Sequence, residues 1–231
     1  MAGLTAPEMW YEARLLYESI ASADAPGYTT RDWSLILTQA QEKVLRDIID
    51  EGAEKNDANK LVLSPITKTK SNLTIVPDAT VIIPNSYSIL ENTFNPFHIE
   101  SEFVYNSSLN PISLITVKPM EFDSYGLTSK NPFEKPSNKV VFWRMVTDGK
   151  VVIVGDGSAI NKYLVTYVDR PTPIVVAVLT APQAIEGITA VTDCKLHHSV
   201  HRKIVEKAAS LANAYIKDQV GYQISNVEEN K

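Results

Sequence analysis

The stretch "KVVFWRMVTDGKVVIVGDGSAINKYLVTYVDRP", residues 139–171, decides how the chain is read. Val, Ile, Tyr, Phe and Trp crowd its runs, the side chains that suit a pleated, half-buried surface. Asp148-Gly149 marks a tight hairpin, because that pair tolerates the positive φ of a two-residue reversal. A second break, Gly155 to Ser158, leads into a third run. The stretch therefore predicts a three-stranded antiparallel meander.

The same texture extends on both sides, from residue 61 to 178, so a β region fills the middle of the chain. "ATVIIPNSYSILENTF" (79–94) and "SLITVKPMEF" (113–122) supply further strands, which Pro84 and Pro119 push towards edges or interruptions. Residues 95–110 and 127–138 read as loops, and "KTKS" from Lys68 as a solvated basic loop.

Helical spacing takes over at both ends. Thr5 with Glu8 makes a capping box, Pro7 sits in the first turn, and Met9, Ala13, Leu16, Tyr17 and Ile20 form one stripe. After "ADAPGY" a second helix starts at Thr29 or Thr30. It carries Trp33, Ile36, Leu37, Ala40, Val44 and Ile48 inward until Gly52 stops it. Near the C-terminus Val200, Ile204, Val205, Ala208, Leu211, Ala212, Tyr215 and Ile216 share one arc of a helix, opposite Arg202, Lys203, Glu206 and Lys207. The tail "SNVEENK" reads as peripheral. The expectation is an α+β fold: a helical bundle of two N-terminal helices and one C-terminal helix, with an inserted antiparallel β domain, barrel-like or sandwich. Its segments are 1–56, a helical hairpin; 57–190, the β domain; and 191–231, the last helix packing on the hairpin.

The chain has 231 residues, enough for one large domain or two small ones. With 22 basic and 27 acidic residues it carries a net charge of −5, the wrong sign for a surface that grips phosphates. A single cysteine rules out an internal disulfide, and no signal peptide or membrane span is read, which points to a chain made in a cytoplasm.

"CKLHHSVHRK" (194–203) holds three of the four histidines and the cysteine. His197 and His201 stand four apart, as zinc ligands on a helix do, with Cys194 and His198 as further candidates. Against a zinc enzyme, no glutamate follows the first histidine. Projected on the last helix, His197 and His201 fall on its apolar face, so the expected role is to seat that helix. "VGDGSA" (154–159) lacks the lysine of a phosphate loop and reads as a turn, and Ser158 has no nucleophile-elbow context. Asp47, Asp50, Glu228 and Glu229 read as solvated positions, and Trp10, Trp33 and Trp143 as core or interface anchors. No catalytic, cofactor-binding or metal residue is assigned.

"APGYTTRDWSLILTQAQEKV" (25–44) resembles the second helix of the head-to-tail connector, or ring, proteins of tailed bacteriophages, particularly the crAss-like podoviruses. "YLVTYVDRPTPIV" (163–175) followed by "CKLHHSVHRKIVEKAASLANAYIKD" (194–218) is similar to their other hallmark, a strand leading to an amphipathic helix that opens with His and "IV". His201 matches that recurrent histidine; at the position of a helix-starting proline this chain has His197. The resemblance implies a structural virion protein without enzyme chemistry or cofactor, a neck ring subunit assembled in the host bacterial cytoplasm. Implied partners are copies of itself, twelve in a closed ring; the portal and other neck or tail proteins; and double-stranded DNA passing without sequence recognition. No membrane is involved. Two rivals stand beside it: a β-domain binding module of a tail or accessory protein, and a zinc-dependent enzyme.

Overall fold

A computed structural model describes residues 3–20, 27–52, 57–77, 83–89, 96–108, 113–137, 141–147 and 150–229. Along the chain run α1 (Ala6–Ile20), α2 (Thr30–Asp50), α3 (Asp57–Leu63), β1 (Thr67–Pro77), β2 (Ser86–Ile89), β3 (His98–Tyr105) and β4 (Ile115–Pro119). There follow α4 (Phe122–Thr128), β5 (Phe142–Thr147), β6 (Lys150–Val154), β7 (Lys162–Val168) and α5 (His201–Glu229). They form two compact units, residues 1–66 with 170–231, and residues 67–169. Residues 57–66 and 170–190, which the sequence reading placed with the strands, fold in the helical unit.

In the helical unit α1 and α2 both pack on α5. The Thr5 amide and hydroxyl donate to the Glu8 carboxylate at the head of α1, each at 2.8 Å. Ala6, Met9, Ala13 and Tyr17 are buried, whereas Leu16, expected inside, lies at the margin of that arc and is exposed; the Ile20 side chain falls outside the described residues. At the head of α2, Thr29 and Asp32 form a reciprocal capping box, and Gly52 (φ 83°) follows its end in the left-handed conformation glycine accepts. Its predicted stripe from Trp33 to Ile48 is buried. Tyr17, Tyr28 and Trp33 meet edge-on, with ring centroids 5.4 to 5.7 Å apart, and Tyr28 donates to the Ala212 carbonyl of α5.

Ser34, Thr38 and Gln41 lie buried on α2, spaced like the apolar residues around them. Each serves the extended segment after residue 170. The Ser34 and Thr38 hydroxyls accept from the amides of Val176 and Ile174, and the Gln41 amide donates to the Thr172 carbonyl, all at 3.1 Å. Arg170 pairs with Glu42 and Glu186. Three polar side chains thus stand in for a neighbouring strand, which is why residues 172–176 join the helices.

The second unit is a closed barrel in the order β1-β2-β6-β5-β4-β3-β7. All neighbours are antiparallel except β4 and β5, which run parallel and so need the long crossover that contains α4. The predicted hairpin forms, with Thr147 opposite Lys150; its turn, Asp148-Gly149, is outside the described residues. The predicted meander does not. β6 pairs with β5 and β2, while β7 pairs with β1 and β3, because residues 155–161 carry the chain away from β6. Three predicted loops also change: residues 95–110 contain β3, residues 127–138 begin inside α4, and "KTKS" lies in β1, where Lys68 pairs with Asp169.

The barrel is packed on both faces of β5 and β6. Phe142 and Ile153 join Leu73, Ile75, Val104, Tyr163 and Val165 in the main core. Trp143, Met145, Val152 and Val154 face the other way and are covered by Ile83, Met120 and Tyr125. Two-sided burial explains why these strands read as continuous apolar runs without alternation.

Candidate functional site

The chain enters α5 through a 3-10 turn, His198–Val200, whose cap is His197. His197 therefore precedes the helix and does not share a face with His201, correcting the projection made from sequence. The His197 Nδ1 lies 3.0 Å from the Ser199 hydroxyl, and its ring rests 4.0 Å from that of His198. Desolvation, together with the adjacent His197, lowers the pKa of His198. His201 is buried, its Nε2 3.0 Å from the Leu196 carbonyl, and its Nδ1 has no partner among the described residues. Gly3 lies against this ring so closely that a Cβ there would come within 2.7 Å of Cε1. Burial pushes the Cys194 thiol up to about 11. Among the described residues no three His, Cys, Asp or Glu side chains are placed to share one metal ion.

Other candidates take structural positions. Ser158 sits in the turn between β6 and β7, where its amide donates to Asp156 and its carbonyl accepts from Tyr87. Asp47 pairs at the surface with Lys207, 3.6 Å away. Trp33 and Trp143 are core residues, and Trp10 is half-buried.

A buried charged group escaped the sequence reading. Glu102 of β3 is 4% exposed inside the barrel, where it accepts from Tyr163 at 2.6 Å and pairs with Arg144 at 2.8 Å. Burial, then the Glu102 charge, drives the Tyr163 hydroxyl far above its ordinary pKa, so it stays a proton donor. The register carries the only signal: Glu102 lies opposite Val165 and two residues before Val104, both core positions.

The crossover from β4 to β5 has the opposite character. Phe122, Leu127 and Phe133 are 58%, 80% and 93% exposed. Asn131 holds the last of these in an ordered turn: its side-chain oxygen accepts from the Phe133 amide at 3.0 Å and its carbonyl from Lys135 at 3.0 Å. At the start of the same crossover a cleft of about 480 Å³ is lined by Pro119, Met120, Glu121, Phe122 and Arg144. Among the described residues no helix is long and apolar enough to cross a membrane.

Large apolar side chains exposed on an ordered segment are available for contact with other proteins. The chain belongs to the phage tail ring protein 3/4 family, whose sequence model matches residues 4–223. It is 23% identical over 218 residues to ring protein 4/5 of Bacteroides phage crAss001, covering 88% of this chain and 90% of that one. It is 27% identical over 190 residues to ring protein 3 of the same phage, covering 78% and 82%. It is thus a structural component of a phage particle.

Proposed function

We propose that this chain is a subunit of a closed ring, of about twelve copies, in the phage neck. The ring joins the portal of the capsid to the tail and forms part of the channel through which double-stranded DNA leaves. The family match across residues 4–223 carries this reading, because it spans both the helical unit and the barrel. A net charge of −5 supports a channel that lets DNA slide without retaining it. The subunit works by contact, without catalysis or cofactor, and is assembled into virions in the host cytoplasm. Its partners are its own copies, the portal and neighbouring neck or tail proteins. Native mass spectrometry of the purified protein tests the assembly: a species of about twelve subunits supports it, and monomer at every concentration overturns it.

A further inference from the structure

We propose that Phe133, at the tip of the β4–β5 crossover, inserts into the cleft lined by Met120, Phe122 and Arg144 on the next copy of the chain, and that this contact closes the ring. The inference rests on the ring reading above. A ring needs a head-to-tail contact, in which one surface of each copy meets a different surface of its neighbour. The crossover offers both surfaces on one compact unit. At its end Phe133 is 93% exposed. Pro132 and Pro136 bracket the turn, and the Asn131 hydrogen bonds fix it, so little conformational freedom remains to be lost on docking.

At its start the cleft of about 480 Å³ has room for a benzyl group. Pro119, Met120 and Phe122 are its apolar lining residues, beside Glu121 and Arg144. Arg144, whose side chain is 18% exposed and pairs with Glu102 at 2.8 Å, is a further lining residue held in place by the barrel. The rims offer opposite charges: Lys130 and Lys135 outnumber Glu134 around the tip, and Glu121 lines the cleft.

Two measurements on the full chain test this. Phe133→Asp should raise the concentration for half-maximal ring assembly at least about tenfold. An unchanged circular dichroism melting curve shows that the variant folds, as the exposure of Phe133 predicts. Separately, a Lys135→Cys chain mixed with a Glu121→Cys chain should give a disulfide-linked heterodimer on mild oxidation, since Cys194 is buried. Rings that survive Phe133→Asp without heterodimer overturn the inference and leave the ring reading standing. Rings lost without heterodimer remove the cleft as the seat of Phe133, in favour of another surface or protein. Wild-type protein that never assembles removes the ring reading itself.

Discussion

Glu102 is held inside the barrel by two partners, Tyr163 and Arg144, and the energetics of that arrangement are asymmetric. Removing one member of a buried pair leaves an uncompensated charge, whereas replacing both by apolar side chains is tolerated. Arg144→Met should therefore lower unfolding free energy by about 3–5 kcal/mol in urea titration, and adding Glu102→Leu should restore most of the loss. Cys194 makes a second residue-scale prediction. Its thiol ionises at about 11 when folded, above an ordinary value near 9.0, so the fold favours the protonated form. The corresponding stability is fully present below pH 9 and is lost as pH rises towards 11. Thermal melts over that window should fall less steeply for Cys194→Ala than for the wild type. A thiol reagent at neutral pH should leave native Cys194 unmodified and label it only after denaturation.

At the scale of elements, α2 holds the extended segment after residue 170 through side chains. Thr38→Val leaves the Ile174 amide without its buried acceptor and should cost about 1–3 kcal/mol by denaturant unfolding. Gly155 is similarly constrained, since a Cβ there would lie 2.7 Å from the ring of Phe142, which is fully buried. Gly155→Ala should destabilise by about 1–3 kcal/mol, with Phe142→Leu relieving part of the cost in a double-mutant cycle. These elements differ in how far sequence reveals them. α1, α2 and α5 were legible because amphipathic spacing and caps are local properties. The β5–β6 hairpin was legible because its turn chemistry is local too. The pairing of β7 with β1 and β3 was not, since barrel closure is decided by partners far apart in the chain. β3 lay hidden in the expected loop 95–110, and one of the charges of "HIESEF" within it is the buried Glu102. The segment 172–176 looked like part of the β domain because its partners are the side chains of Ser34, Thr38 and Gln41 on α2.

For the whole molecule, the family assignment turns two compact units into one assembly component. The histidine cluster of residues 194–203 contributes a turn into α5, with His201 packed under Gly3, and the outward-facing chemistry lies elsewhere, on the crossover of the barrel. That location was invisible in sequence. Phe122 falls there at the end of an expected strand, and Leu127 and Phe133 fall in an expected loop; their exposure emerges only once the barrel has closed without them. The central claim is that copies of this chain encircle the exit path of the genome. Electron cryomicroscopy of the virion neck tests it most directly. The account predicts this chain as a closed ring of about twelve copies on the particle axis, between portal and tail. Density placing it off that axis, or without cyclic symmetry, would contradict it.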